Sequence, residues 1–280
     1  MILMSKRILA AACAAATALA LSACSPSAST GGKTSKDGTL TVMSSFYPLK
    51  YLAEKVGGEH VTVTSLTPDG AEPHDLELSP KMVDSLASAD AVVYLAGFQG
   101  AVDEAVEQHA PKTVIDVSPA AQLVAIDSTS NHPGEDEDTD ESQSGEAQSG
   151  EAADHDHEGH EHEGHDHEHA DHDHHHDMSM DPHFWLDPAR MANAATLVGD
   201  KLAEADPTNA ETYKSNAQAL NEELTSLGDN LVAKTSTCQI KTFVTAHTAF
   251  GYLADRTGLT QVGISGLDPA SSPSPARLAE

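Results

Sequence analysis

Basic residues are scarce in this 280-residue chain: 15 lysines and arginines stand against 44 aspartates and glutamates, for a formal net charge of −29. None at all occurs between Lys112 and Arg190. A field of that sign repels nucleic acid and draws cations, so no nucleic-acid partner is expected. Apolar runs long enough to cross a membrane are missing too, since the longest stops after residues 8–21. Cysteine is limited to Cys13, Cys24 and Cys238, too few for a disulfide framework.

The short apolar run has a specific meaning. Lys6 and Arg7 precede it and Leu21-Ser22-Ala23-Cys24 closes it, the pattern of a secretory signal peptide. The Leu-Ser-Ala-Cys ending resembles a bacterial lipobox, which implies cleavage before Cys24 and lipidation of its sulfur. An ordinary secretory cleavage with Cys24 incidental is the alternative. Residues 25–38, rich in Ser, Gly, Thr and Lys, read as a flexible tether. Cys13 leaves with the leader, so Cys238 is left as a lone thiol, either buried and inert or paired beyond residue 280.

What the chain has in abundance is histidine in one place. Residues 154–177 read DHDHEGHEHEGHDHEHADHDHHHD and hold eleven of the 17 histidines: His155, His157, His160, His162, His165, His167, His169, His172, His174, His175 and His176. The segment offers almost nothing apolar to offset the entropy of ordering it, so it cannot build a core. Imidazoles at this density are metal ligands, and zinc suits them best, with copper and nickel as competitors. The bland alternative is an acidic linker with incidental histidines.

Around this loop the pattern is that of an α/β protein. Short β-branched runs at residues 40–43, 61–66, 91–96 and 113–116 alternate with helical stretches at 49–56, 80–87 and 101–109. Such alternation argues for a parallel sheet covered by helices. Asp187-Pro188 and Asp206-Pro207 each read as a cap followed by proline at the first helical position. The second opens a helix to about Ala233, with Tyr213, Ala217, Leu220, Leu224, Leu227 and Leu231 as one continuous buried stripe. Strands at 242–245 and 260–264 with a helix at 247–257 begin a second α/β region, and residues 274–280 look like another helix opening.

Three histidines outside the loop sit at junctions rather than on apolar stripes. His74 lies in Thr67-Pro68-Asp69-Gly70-Ala71-Glu72-Pro73-His74-Asp75, at the carboxyl end of a strand, where α/β sheets place ligands. His183 lies in Asp181-Pro182-His183-Phe184-Trp185-Leu186-Asp187-Pro188, beside the only tryptophan, and His247 in Thr245-Ala246-His247-Thr248-Ala249-Phe250-Gly251-Tyr252. His60, His109 and His132 have no distinctive surroundings and are read as surface or hydrogen-bonding residues.

The T-P-D-G-A-E-P-H-D segment, the histidine-rich loop, D-P-H-F-W-L-D-P and T-A-H-T-A-F-G-Y-L-A, in that order, resemble the zinc-type solute-binding lipoproteins of bacterial ABC importers. The resemblance covers residues 40–280 and implies an α/β fold of two parallel-sheet lobes joined by one long rigid helix, the C-terminal lobe truncated in this chain. It implies Zn2+ held between the lobes by His74, His183 and His247, with water or a carboxylate beyond residue 280 as the fourth ligand. Glu72, Asp75 and Asp181 become candidates for orienting those imidazoles. A hydrolytic zinc site is the rival for an open three-histidine centre, but there is no H-E-x-x-H and no enzyme is expected. The expected organisation is a lipoprotein signal peptide (1–23), tether (24–38), N-terminal lobe (39–127), disordered loop (128–180), end of the N-terminal lobe (181–206), linking helix (207–234) and partial C-terminal lobe (235–280). The expected function is capture of Zn2+ by a lipid-anchored monomer on the extracytoplasmic face of the membrane, for delivery to an ABC permease. A manganese or iron importer component is one alternative, and a surface metal buffer acting through the loop is another. Affinity is expected to fall as pH drops through the ordinary histidine range near 6.5.

Overall fold

The computed structural model of the chain describes residues 38–126, 131–132 and 179–273. Cys24 with its leader, the eleven loop histidines and the helix expected from residue 274 lie outside the described residues.

Four parallel strands form the first sheet: β1 (Leu40–Ser44), β2 (Val61–Ser65), β3 (Ala91–Tyr94) and β4 (Thr113–Asp116), in the order β2-β1-β3-β4. Side chains alternate across a strand, so the two faces feed separate cores. Val42, Ala91, Val93 and Ile115 face α1 (Tyr47–Gly57) and α5 (Pro188–Ala205). Met43 and Val92 face α2 (Pro80–Ser88) and α3 (Gly100–His109). Coverage on both faces explains why β1 and β3 are almost continuously apolar and buried. A single turn, α4 (Ser118–Ala121), follows β4.

Helix α5 begins as its cap signal predicts: the Asp187 carboxylate accepts a hydrogen bond from the Ala189 N–H at 2.9 Å. Helix α6 (Ala210–Thr235) starts three residues later than Asp206-Pro207 suggests. Asp206 spends its carboxylate on Asn209 Nδ2 (2.7 Å), the Tyr213 hydroxyl (2.9 Å) and the Thr208 N–H (3.2 Å), which holds residues 207–209 in a turn before the helix. The apolar stripe on α6 is also shorter than expected. Tyr213, Ala217, Leu220 and Leu224 are buried, whereas Leu227 is 48 % exposed and Leu231 is half-buried. The buried part lies along α5 and α1, where Gly199 allows close approach: a Cβ there would sit 2.5 Å from that of Ala217. At the next turns the buried position is Gly228, against Pro188 of α5 and Arg256, and Leu227 beside it turns outward.

The second sheet among the described residues is the parallel pair β5 (Thr242–Thr245) and β6 (Thr260–Gly263), bridged by α7 (Gly251–Thr257). Helix α7 starts at Gly251 rather than at residue 247, because the backbone at 246–250 turns back on the segment after β6. Cys238 is exposed. Among the described residues no helix is long and apolar enough to cross a membrane.

Candidate metal centre

His74 arrives on the loop that leaves β2. Pairing with β1 continues past the strand, Leu66 N–H donating to Ser44 O at 2.7 Å and Thr67 N–H to Ser45 O at 3.0 Å. The chain then reverses in a turn closed by Ala71 N–H to Pro68 O at 3.0 Å, with Gly70 at φ +80°, an angle that favours glycine. Buried Gln99 ties the loop down, donating from Nε2 to Pro73 O at 2.8 Å and to Thr67 Oγ1 at 3.1 Å. The imidazole is thus presented from a held loop, as its proline and glycine content suggests.

His183 is set by Asp181, whose side chain is fully buried. One oxygen, Oδ1, accepts from both the His183 backbone N–H (2.9 Å) and ring Nδ1 (2.8 Å). An ionised carboxylate can only accept, so Nδ1 carries the hydrogen and Nε2, turned towards His74, is the nitrogen left to face a metal. His247 follows β5 in a segment pinned to the chain after β6: Ser265 N–H donates to Ala246 O and Thr248 N–H to Gly266 O, both at 2.9 Å.

These three segments bring one nitrogen from each of His74, His183 and His247 within 4.8 Å of one another. The Nε2 atoms of His74 and His183 are 3.3 Å apart. Zn–N bonds of 2.0–2.1 Å in a tetrahedron place ligand nitrogens about 3.3–3.4 Å apart, so this spacing suits a shared ion. Phe46, Phe98 and Trp185 wall the site, Phe98 lying 4.9 Å from His74 and Trp185 5.1 Å from His183 between ring centres. Burial, then the neighbouring His183, pushes the His74 pKa down to about 4, and the same two causes lower that of His247.

A consequence can be read in the metal-free protein. The depressed His74 pKa contributes stability that is present above pH 6.5 and lost as pH falls towards 4, because only the unfolded chain takes up the proton in between. The His74 ring resonance is expected to titrate with a midpoint near 4 by NMR; a midpoint at 6.5 would contradict the burial seen here.

The carboxylates fall out unequally. Asp181 contacts an imidazole of the trio directly, as expected. Glu72 Oε1 instead accepts from the His74 backbone N–H at 3.1 Å, and the buried His74 Nδ1 has no hydrogen-bond partner among the described residues. Asp75 sits exposed in the turn and makes no hydrogen bond to the three rings among the described residues. A carboxylate that sequence reasoning passed over is Asp268, just beyond the Gly266 pairing, whose charge opposes the pKa depression of both His74 and His247. Its place at the carboxyl end of β6 was the available signal.

His132 is the second correction. Read as a loop histidine without distinctive surroundings, it is 1 % exposed and lies between two carboxylates, Nδ1 at 2.5 Å from Asp181 Oδ2 and Nε2 at 2.9 Å from Asp255 Oδ2. Burial opposes its protonation, but the bonds to Asp181 and Asp255 outweigh burial and raise its pKa. The sequence between it and Asp181 spans the histidine-rich loop, so nothing local announced the contact.

Residues 42–280 match the family model described as zinc-uptake complex component A, periplasmic (ZnuA). The chain is 35% identical over 248 residues to the zinc-binding lipoprotein AdcA of Streptococcus pneumoniae, covering 87% of this chain but 42% of AdcA. It is 31% identical over 267 residues to the high-affinity zinc uptake system protein ZnuA of Bacillus subtilis, covering 95% of this chain and 73% of that protein. Among solved structures it resembles Zn(II)-bound AdcA of S. pneumoniae, with a TM-score of 0.61 and 28% identity over 86% of this chain and 42% of that one. It also resembles the laminin-binding protein of Streptococcus agalactiae, titled a bifunctional adhesin and metal transporter, with a TM-score of 0.63 and 26% identity over 86% and 73% of the two chains. The match to the family model across residues 42–280 makes the chain a member of the ZnuA family of zinc-uptake components.

Proposed function

We propose that this chain is the zinc-capturing component of a bacterial ABC importer, a monomer held by lipid at Cys24 on the extracytoplasmic face of the membrane, which hands Zn2+ to an integral-membrane permease. The observation that carries the proposal is the convergence of His74, His183 and His247 from three separate segments. Neutral nitrogen donors suit zinc better than manganese, which takes more carboxylate. Water, or a carboxylate beyond residue 280, would fill the fourth position. A hydrolytic role is less well supported, because Asp181, the buried carboxylate at the centre, is committed to His183 and His132 and is not free to act as a base.

The site sits at the foot of the histidine-rich loop. Ala125 and Met180 form an antiparallel bridge, and Asp181 N–H donates to Val124 O at 2.9 Å, so the chain leaves for the loop and returns from it beside the turn that carries His183. The loop histidines would then raise the zinc concentration near His74, His183 and His247 through weaker, multiple contacts, since a segment with so little to bury loses entropy whenever it chelates. Proton competition at His74 and His247 is displaced below the ordinary range near 6.5, so zinc should be retained in mildly acidic medium.

Calorimetric titration of the whole chain with zinc tests this reading. One tight event and several weaker ones are expected, and deletion of residues 154–177 should remove the weaker events alone. Loss of the tight event on that deletion would transfer the site to the loop, and support the buffering alternative. Displacement of zinc from the tight site by an equal concentration of manganese would assign the chain to manganese.

A further inference from the structure

We infer that His132 is a positioning residue of the three-histidine site, acting through Asp181 to fix the direction in which His183 presents Nε2. The inference rests on the zinc-site reading above and adds to it a residue outside the ligand set.

Asp181 divides its two oxygens. Oδ1 takes both bonds from His183, and Oδ2 takes the bond from His132 Nδ1. A carboxylate held on one side only could turn about its Cβ–Cγ bond and carry the His183 ring with it. His132 removes that freedom, because a turn would break the 2.5 Å contact between two buried side chains. Both ring nitrogens of His132 face carboxylate oxygens, which cannot donate, so the ring satisfies both only when each nitrogen bears a hydrogen.

The surrounding chain is shaped to receive this ring. Gly251 opens α7 directly over it, and a Cβ there would lie 2.6 Å from His132 Nδ1 and 2.5 Å from the Asn131 carbonyl oxygen. Tyr252 packs its ring against His132 at 4.6 Å, donates from its hydroxyl to Asp181 O at 2.6 Å, and accepts from the Val124 N–H at 2.9 Å. Asn131 continues the seat: its Nδ2 donates to Asp255 Oδ1 at 2.8 Å, and its carbonyl accepts from Gln261 Nε2 at 2.5 Å. Asn131 and His132 therefore bind together the turn of His183, helix α7 and strand β6. Among the described residues, Asp181, Asp255, Tyr252 and Gly251 face the His132 ring.

Two amide substitutions separate the two nitrogens. In His132→Asn the side-chain N–H stands where Nδ1 was and can still donate to Asp181. In His132→Gln the N–H stands where Nε2 was and serves Asp255 alone. Zinc titration of the full chain is expected to show His132→Asn within about 3-fold of wild type and His132→Gln weaker by about 10-fold, the lower end of losses for outer partners of metal ligands. Asp255→Asn, which touches only the far nitrogen, should change zinc affinity by less than about 2-fold on the same argument. Equal affinities for both amide variants, or an Asp255→Asn loss as large as that of His132→Gln, would reduce His132 to a structural contact and overturn the inference. Should a variant not fold, nitrogen-correlated NMR of the metal-free wild type decides: hydrogens on Nδ1 of both His132 and His183 are expected, and a bare Nδ1 on His132 contradicts the proposal. Absence of a tight zinc event in wild type would instead sink the zinc reading itself.

Discussion

Replacing His74 or His247 by alanine should abolish the tight zinc event while leaving the metal-free fold in place. Structural zinc sites in small peptides have apparent binding energies of about 10–16 kcal/mol, so one ligand of four accounts for about 3 kcal/mol, or roughly 10²–10³-fold in affinity. The fold should lose little, since neither ring is fully buried and His74 Nδ1 has no partner to forfeit. Removing either ring also removes a group whose charged form burial opposes. Thermal melts with and without zinc read both effects together. The expected result is an unchanged metal-free Tm and loss of the zinc-induced rise. A rise that survives in either variant would mean the loop, outside the described residues, carries the tight site.

Asp181→Ala should be the most damaging single change, because it strikes stability and binding at once. The carboxylate is fully buried and accepts from His132, from the His183 backbone and from the His183 ring. Burial opposes its ionisation, but the bonds from His132 and His183 overcome burial and hold its pKa below the usual carboxylate value. Stability from this group is therefore present above the ordinary carboxylate pKa and lost as pH falls through the lowered one. Removing one member of such a buried pair leaves the other uncompensated, at a cost of about 3–5 kcal/mol. Loss of the bond that sets the His183 tautomer should weaken zinc by a further 10–100-fold, as for other partners of ligating histidines. Denaturant unfolding and zinc titration of the same variant separate the two. Stability within about 1 kcal/mol of wild type would show that Asp181 is not the buried centre described here.

Local patterning revealed most of the fold and the three histidines that converge, and failed where contacts crossed the histidine-rich loop. The strands were legible because both faces of β1 and β3 are covered, which forces continuous apolar runs. His74, His183 and His247 were legible because each stands in a Pro- or Gly-marked junction at an element end. The start of α6 was misplaced because Asp206 uses its oxygens on a turn and on Tyr213 rather than on the first helical N–H groups. Leu227 was misassigned because the neighbours at its level, Pro188 and Arg256, pack against Gly228 instead, a residue with no side chain to mark the buried face. His132 was invisible for a different reason. Its value comes from two carboxylates, 49 and 123 residues away in sequence, and no spacing rule reaches across such intervals. Asp268 had only its place after the end of β6 to mark it, and its relevance shows when the segment after β6 is laid beside that of His247.

The most direct test is crystallographic: anomalous scattering at the zinc edge from protein loaded with one equivalent of Zn2+. The prediction is one strong peak about 2.0–2.1 Å from a nitrogen of each of His74, His183 and His247, with His183 ligating through Nε2 while Nδ1 remains on Asp181. A peak elsewhere, with the three imidazoles left without metal, would contradict the assignment.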